Sequence, residues 1–247
     1  MGAVNTMPVH LSVIIPAYNE AGRIKKCLKS LSAFLESEDY SWEVVVCNDG
    51  STDTTSQIVR QISELNVRVR ILDLVHQGKG AAVRQGMLHA VGELRILCDA
   101  DFSMPVEQIS RLLDAAASSD VVIASRELQD SRRFNEPSKR HFMGRVFNFI
   151  TRLLVLPGIN DSQCGFKLFK ENCVSTLFEE LNVDGFAFDV EVLVKARIKG
   201  FSILEVPIDW YYFEGSKVRL IRDTVYMFWD LLKISFKYRI IHIFNGH

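Results

Sequence analysis

The chain has 247 residues, of which 48% are hydrophobic, and its formal net charge at pH 7 is -1. That length supports one sizeable core, and the near-neutral charge excludes the strongly basic balance of a typical nucleic-acid-binding protein. The five cysteines are odd in number and form no CxxC pair, so we expect reduced thiols in a cytoplasmic protein rather than a zinc site or a disulfide framework.

The first half of the chain alternates between short apolar runs and segments with helical spacing. The apolar runs predict five strands: LSVIIPAYN, WEVVVCNDGS, VRVRILDL, LRILCDAD and DVVIASR. The segments between them predict four helices: EAGRIKKCLKSLSAFLES, DTTSQIVRQISELN, GKGAAVRQGMLHAV and PVEQISRLLDAAAS. This alternation indicates crossover connections, and therefore an α/β fold with a mostly parallel, doubly wound sheet and flanking helices.

The second half is less regular. SKRHFMGRVFNFITRLLVLP predicts a helix in which apolar and basic residues are mixed, and DSQCGFKLFK predicts a loop that leads into a strand or turn. Two further helices are predicted for VSTLFEELN and DVEVLVKARIKG, followed by a strand in FSILEVPIDW. A long, aromatic-rich amphipathic helix ends the chain.

Polar residues follow the predicted strands where each strand ends, in PAYNE, NDGSTD, CDAD and ASR. Ligands of parallel α/β sheets bind beyond the carboxyl ends of the strands. The pattern therefore predicts a binding site at that edge of the sheet.

Eight motifs occur in a fixed order: VIIPAYNE, NDGSTD, GKGAAVRQGM, DAD, ASR, DSQCGFKLF, FDVEVLVKA and EGSKV. This ordered set resembles family 2 glycosyltransferases of the GT-A fold, and within them the dolichyl-phosphate glucosyl- and mannosyltransferases. The resemblance implies a single domain over residues 1–247. Its parts would be a nucleotide-sugar half at about 8–130, an acceptor half at 131–220 and an amphipathic C-terminal helix at 221–247.

Asp99 and Asp101 follow the fourth predicted strand. Residues two apart in an extended chain point to the same side, so the two carboxylates suit a hard divalent cation, Mg²⁺ or Mn²⁺, which also binds diphosphate oxygens. The resemblance implies that Asp99 faces the nucleoside and that Asp101 holds the metal. A solvated strand end or a helix cap is the alternative interpretation of the pair.

Five residues of three other motifs are implied to line the nucleotide pocket. Tyr18 would pack against the base and Glu20 would accept hydrogen bonds from the ribose, while Lys79 would lie near the phosphates at a helix N-terminus. Ordinary turns and a surface lysine remain the alternatives. The five residues are Pro16, Tyr18, Glu20, Asp49 and Lys79.

Four basic or polar residues form the predicted site for the acceptor phosphate. Arginine suits phosphate because its planar fork donates two hydrogen bonds at once. The resemblance places the lipid-phosphate ligands at Arg126, Ser138, Arg140 and Lys217. We interpret Arg132 and Arg133 as solvated loop charges.

The DSQCGFK motif supplies Asp161 and Gln163, which we assign to contacts with the sugar or the metal, and Lys167, which we assign to substrate binding. If the acceptor is instead a hydroxyl group, the reaction needs a base, and Asp161 is the candidate. The sequence therefore leaves two acceptor classes open.

The predicted function is inverting, metal-dependent transfer of a hexose to a polyprenyl or dolichyl phosphate, with UDP-glucose as the first donor and GDP-mannose as the second. Catalysis is assigned to Asp101, Arg126 and Arg140. The alternatives are a family 2 enzyme with a hydroxyl acceptor in polysaccharide or glycolipid synthesis, and a nucleotide-sugar-binding regulator without turnover.

Residues 141–156 and 224–244 combine bulky apolar groups with basic ones, which is typical of helices that lie on a membrane surface. No apolar run reaches the ~18 residues needed to span a bilayer. We therefore expect a peripheral protein on the cytoplasmic face of a membrane, without a transmembrane span. Core packing, an oligomer interface or a membrane-protein partner are the alternatives for these two segments.

Overall fold

The five apolar runs form strands where the alternation predicts them, in a computed structural model that describes residues 9–101, 103–213 and 220–245. Four of these strands are buried almost throughout, because helices cover both faces of the sheet, while β3 at the sheet edge is mostly half-buried. Their bounds are β1 Leu11–Ala17, β2 Trp42–Asp49, β3 Val69–Leu74, β4 Leu94–Leu97 and β5 Val121–Ser125.

Four helices connect these strands. In α1 the buried residues fall on one stripe, at positions 24, 27, 28, 31 and 35, so that one face packs on the sheet and the other meets water. A short 3-10 helix, Val106–Gln108, precedes the last of them. The helices are α1 Ile24–Glu36, α2 Thr55–Leu65, α3 Lys79–His89 and α4 Ile109–Ala116.

The second half adds four strands and four helices to this frame. The predicted helices and the strand after DSQCGFK are present, and α8 begins near the predicted start of the last helix. The elements are β6 Arg132–Phe134, α5 Ser138–Leu154, β7 Lys167–Lys170, α6 Glu171–Phe178, α7 Phe188–Ile198, β8 Ile203–Pro207, β9 Asp209–Tyr211 and α8 Leu220–Asn245.

The main sheet has seven strands in the order β3-β2-β1-β4-β7-β5-β8. All neighbours are parallel except β7, which lies antiparallel between β4 and β5. The prediction of a mostly parallel α/β sheet is therefore confirmed. The strand predicted for FSILEVPIDW is divided in the structure between β8, in the main sheet, and β9. The second sheet, in which β9 pairs in parallel with β6, was not predicted, because three residues are too few to show an alternating pattern.

The hydrophobic core lies in two layers, one on each face of the main sheet. On β1, Ile14 faces one layer, while Val13 and Ile15 face the other. Residues of α3, α6, α7 and α8 build the first layer, and residues of α1 and α4 build the second. Helices on both faces make the sheet doubly wound, as the sequence predicts.

Within the described residues, none of the helices combines the length and the apolar character that a bilayer crossing requires. All five cysteines are buried and carry free thiols.

Candidate active site

A cavity of about 700 Å³ opens beyond the carboxyl ends of β1, β2 and β4. This volume lies inside the range of about 300–1,000 Å³ that is typical of small-molecule sites. All five residues predicted for the nucleotide pocket line it: Pro16, Tyr18, Glu20, Asp49 and Lys79. Asp99, Asp101 and Arg140 line it as well, so the structure brings eight of the predicted site residues to one cavity.

The carboxylate of Asp99 is paired with Lys79, another residue that lines the cavity. Its Oδ1 lies 2.6 Å from Nζ of Lys79, and neither side chain is more than a third exposed. Burial alone would lower the pKa of Lys79, but the charges of Asp99 and Asp189 outweigh it and raise that pKa. Lys79 therefore keeps its positive charge beside the acidic pair, where an anionic ligand would meet it.

Asp101 and Asp99 meet the requirements of a divalent cation that shares its shell with phosphate. Asp101 accepts a hydrogen bond at Oδ1 from the backbone N–H of Ser103, at 3.1 Å, which fixes the carboxylate. In the described part of the chain, no group of three or more His, Cys, Asp or Glu residues is arranged to hold a metal. Mg²⁺ sites of one or two carboxylates completed by substrate phosphates and water are common, and the pair fits that class.

Gly165, just before β7, leaves the space that the Asp99 carboxylate occupies. A Cβ atom at position 165 would lie 1.8 Å from Oδ2 of Asp99. The antiparallel direction of β7 causes this approach, because Lys167 pairs with Leu97 and the preceding residues then reach the end of β4. The CGFK motif therefore contributes to the site through its glycine.

Asp49 holds the loop that leads into α3. Its Oδ1 accepts from the backbone N–H of Gln77 at 2.9 Å, and its Oδ2 accepts from that of Gly78 at 3.0 Å. Nδ1 of His76 lies 2.8 Å from the same Oδ2. Both oxygens of this buried carboxylate, which was predicted to line the nucleotide pocket, are thus engaged with the loop.

His76 and Tyr18 form an aromatic surface on the cavity wall. Their rings stack with centroids 4.2 Å apart and planes 15° apart. Both residues line the cavity. The sequence analysis missed His76, although its place just before the QGKG motif is a signal that could have found it.

Glu20 is paired with Arg23, a cavity residue that the sequence analysis also missed. Both oxygens of Glu20 are engaged, through Nε of Arg23 and through Nη2 at 2.7 Å. The hydrogen bonds that Arg23 donates to Glu20 raise the pKa of Arg23, and the charges of Asp101 and Asp99 add to the effect. Asp53 links the residue after Glu20 to the start of α2, because its carboxylate accepts hydrogen bonds from the backbone N–H groups of Ala21 and Thr55.

Arg126 and Asp161 form a buried ion pair. Nε of Arg126 lies 2.7 Å from Oδ2 of Asp161 and Nη2 lies 2.9 Å from Oδ1, and the backbone N–H of Arg126 donates to Oδ2 as well. The Asp161 side chain is fully buried, and that of Arg126 is 14% exposed. Burial would raise the pKa of Asp161, but the charge of Arg126 overrides it and holds that pKa well below its usual range.

The structure therefore does not bring Arg126 or Asp161 to the cavity wall described above. It does not bring Lys167 there either, because its Nζ is buried 2.5 Å from Oδ1 of Asp189. Gln163 also lies away from the wall, and its Nε2 is buried without a hydrogen-bond partner among the described residues. Arg133, interpreted above as a solvated loop charge, instead pairs with Glu127 and Glu136 and is only 15% exposed.

The basic residues that do reach the cavity come from α5 and α8. Arg140 lies in the first turn of α5, with its guanidinium 5.2 Å from the ring centroid of Tyr212. Ser138 is exposed at the start of the same helix. Lys217 lies outside the described residues. Arg222, which the sequence analysis did not select, lines the cavity from α8 beside Asp223.

Residues 182–186 lie between α8 and the start of α3, and hydrogen bonds join them to α3 directly and to α8 through a residue of α7. Gly185 and Phe186 line the cavity, and the backbone N–H of Gly80 donates to the carbonyl of Asp184 at 2.7 Å. Gly78 has a φ of +123°, and a Cβ there would lie 2.5 Å from the same carbonyl. The close approach therefore requires glycine.

Glu191, buried in α7, fixes that segment from behind. Its Oε2 accepts from the backbone N–H groups of Asn182 and Val183, each at 2.9 Å. Its Oε1 accepts from the hydroxyl of Tyr238 in α8, at 3.1 Å. One carboxylate thus ties α8 to the wall of the cavity.

Comparison with known proteins agrees with the motif order. The model for glycosyl transferase family 2 matches residues 12–178. The dolichyl-phosphate beta-glucosyltransferase ALG5C of Trichomonas vaginalis is 34% identical over 244 residues, which cover 94% of this chain and 72% of that protein. The dolichyl-phosphate beta-glucosyltransferase of Saccharomyces cerevisiae is 35% identical, over 93% of this chain and 75% of that protein. The dolichyl-phosphate beta-glucosyltransferase of Homo sapiens is 31% identical, over 92% of this chain and 75% of that protein.

Among solved structures, glucosyl-3-phosphoglycerate synthase from Mycobacterium tuberculosis in complex with UDP superposes with a TM-score of 0.70 at 16% identity, over 92% of this chain and 80% of that one. The same enzyme with Mn²⁺, UDP-glucose and phosphoglyceric acid gives the same score, identity and coverage. At this identity the likeness establishes the GT-A fold.

Proposed function

The chain belongs to glycosyl transferase family 2, and from that membership we propose that it transfers glucose from UDP-glucose to a polyprenyl or dolichyl phosphate. The names of its relatives support both the sugar and the acceptor. Those names specify a beta product, and UDP-glucose carries an alpha-linked sugar. A single displacement with inversion at the anomeric carbon accounts for the difference.

One observation carries the proposal: the acidic pair that follows β4, Asp99 and Asp101, and the cation of Arg140 line the same cavity. The acids suit a metal-bound nucleotide diphosphate, and the arginine suits an anionic acceptor. The reacting centre would lie between them. We assign catalysis to this cavity in a single catalytic domain over residues 1–247.

On the donor side, Asp101 and Asp99 would hold Mg²⁺ or Mn²⁺. The bound metal would neutralise the charge that develops on the departing diphosphate. Lys79 supplies a positive charge at the start of α3, 2.6 Å from Asp99, and would contact the phosphates. The stacked rings of Tyr18 and His76 offer an apolar face for the uracil base.

On the acceptor side, a phosphate needs no base. A lipid phosphate is already an anion at neutral pH, so the protein has only to position it and balance its charge. The hydroxyl alternative needs a base, and Asp161 is poorly suited because it is fully buried, paired with Arg126, and low in pKa. These features support the phosphate acceptor.

We also propose that the protein binds the cytoplasmic face of a membrane through α5 and α8. On α5, Phe142, Val146, Phe149 and Leu153 are exposed at helical spacing, and the helix contains four Lys or Arg residues and no acid. On α8, Val225, Tyr226, Trp229 and Phe236 are more than half exposed. Such helices bind anionic lipid surfaces, where a polyprenyl acceptor resides.

The test supplies the purified full chain with radiolabelled UDP-glucose or GDP-mannose, Mn²⁺ and polyprenyl phosphate in detergent. We expect label from UDP-glucose to enter the lipid phase in a product that mild acid cleaves. The matched control is the polyprenyl alcohol of the same length, which lacks only the phosphate.

Three results would replace the proposal. Transfer to the alcohol but not to the phosphate would favour a hydroxyl acceptor. Faster transfer from GDP-mannose would replace the donor. Nucleotide-sugar binding without transfer to either lipid would indicate a regulator.

A further inference from the structure

We infer that Arg222 of α8 is the second cationic ligand of the acceptor phosphate, opposite Arg140 of α5. The inference rests on the proposed function, since it assigns a residue to the acceptor site of that reaction. It also gives α8 a role in substrate binding, although that helix lies beyond residues 12–178, which the family model matches.

A phosphate monoester carries up to two negative charges at neutral pH, and arginine forks are well suited to balance them. From the sequence, Arg126 and Arg140 are the two arginines predicted to bind this phosphate. In the structure, however, both Nε and Nη2 of Arg126 donate to the buried carboxylate of Asp161. Releasing Arg126 would leave that carboxylate buried and unpaired, which is strongly unfavourable.

Unlike Arg126, Arg222 reaches the cavity. It lines the cavity with Arg140, Asp99 and Asp101, and its guanidinium lies 5.5 Å from the ring centroid of Tyr226. Asp223 lines the cavity beside it. An incoming phosphate would therefore meet one arginine from each of the two helices.

The helix that carries Arg222 is fixed to the rest of the protein. Leu231, Ile234 and Tyr238 are buried in the core layer beside the sheet, and the Tyr238 hydroxyl donates to Glu191. Arg222 is thus part of a packed helix near the cavity. Exposed apolar residues lie close in the chain to both cavity arginines, Phe142 two residues after Arg140 and Val225 three residues after Arg222, so a prenyl chain attached to the phosphate would meet an apolar surface.

The experiment compares Arg222→Gln, Arg222→Lys and the control Lys233→Gln, which removes an exposed charge of α8 that pairs with Asp230. The acceptor is a short, water-soluble prenyl phosphate without any membrane. We expect Arg222→Gln to raise KM for the acceptor at least about tenfold, the loss typical of a charge-assisted hydrogen bond. KM for UDP-glucose should not change, Arg222→Lys should recover part of the loss, and Lys233→Gln should match the wild type.

Three outcomes would overturn the assignment. An unchanged KM for the acceptor in Arg222→Gln would remove Arg222 from the phosphate site. An equal rise in KM for UDP-glucose would place it at the donor. A defect seen only with acceptor in anionic vesicles, and shared by Lys233→Gln, would mean that it acts through membrane charge.

Failure of the proposed function gives a different result, because the wild type would then not use a prenyl phosphate at all. That outcome would end both proposals. Arg222 is exposed, so its variants should keep the wild-type thermal midpoint and circular dichroism spectrum.

Discussion

The carboxylate of Asp99 occupies the space that a side chain at Gly165 would need: a Cβ there would lie 1.8 Å from Oδ2 of Asp99. The two residues are 66 positions apart, and β7 brings them together by running antiparallel to β4. Gly165, in the second half of the chain, therefore determines where the carboxylate of Asp99 can lie.

Gly165→Ala tests this relationship. The added methyl group must displace the Asp99 carboxylate from Lys79, so we expect affinity for Mn²⁺ in the presence of UDP to fall about 10- to 100-fold, as with other outer-shell changes at metal sites. The measurement is a calorimetric Mn²⁺ titration.

The control for this change is Gly144→Ala in α5, where no atom lies within 4 Å of the added Cβ. It should leave Mn²⁺ affinity unchanged and stabilise the helix by about 0.5–1 kcal/mol. Equal Mn²⁺ affinity in Gly165→Ala and the wild type would contradict the role of Gly165.

Asp101→Asn tests the metal assignment. The amide keeps the size of the side chain but loses the charge, so we expect kcat to fall at least about 100-fold, because the metal supplies several kcal/mol of transition-state stabilisation. Rate measurements over a range of Mn²⁺ concentrations check this, with Asp114→Asn on the remote helix α4 as the control. A full rate in Asp101→Asn at the wild-type Mn²⁺ concentration would refute the assignment.

Arg126→Gln tests the buried ion pair. It leaves Asp161 buried without its partner, so we expect the free energy of unfolding to fall by about 3–5 kcal/mol. Urea unfolding at neutral pH measures this, and the double variant Arg126→Met, Asp161→Leu should regain most of the loss because it removes both charges. A stable Arg126→Gln protein with a specific defect in acceptor binding would instead return Arg126 to the phosphate site.

The ion pair of Arg126 and Asp161 also predicts how the free energy of unfolding depends on pH. The folded pKa of Asp161 is lower than its unfolded value of about 3.9. The stabilisation is therefore fully present above that unfolded value and is lost as the pH falls through the lower folded pKa. In an acid series of urea unfolding curves, Asp161→Asn should lose less stability than the wild type below about pH 4, and parallel losses would exclude this contribution.

Replacing three exposed residues of α5, in Phe142→Ser, Phe149→Ser, Leu153→Ser, tests the membrane surface. These side chains are 65–71% exposed, so their loss should spare folding and weaken cosedimentation with anionic vesicles. Activity on vesicle-borne acceptor should fall, while activity on a soluble prenyl phosphate should remain. Leu65→Ser, Val67→Ser removes apolar groups elsewhere that are even more exposed, at 91% and 93%, and serves as the control. Wild-type vesicle binding by the triple variant would rule this surface out.

The sheet and the donor side of the cavity could be predicted because their signals are local. Each strand shows its own apolar run, and the residues after it, such as Tyr18, Asp49 and Asp99, reach the cavity because parallel strands share one carboxyl edge.

The acceptor side depends on partners that are distant in the chain. Nothing near Arg126 shows that Asp161 will neutralise it, and nothing near Arg222 shows that α8 will pack beside the cavity. Long-range pairing of this kind has no periodic signal, so an arginine at a strand end looks the same whether it binds a ligand or another side chain.

The position of β7 also bears on how the protein is made. During synthesis β1 to β5 leave the ribosome first, but β4 and β5 can join only through β7, and until it arrives both keep unpaired edges. Four residues of the cavity lining, Gly185, Phe186, Arg222 and Asp223, emerge later still. A nascent chain should therefore acquire its ligand site last, and holding exposed strand edges apart until then is a task suited to a chaperone.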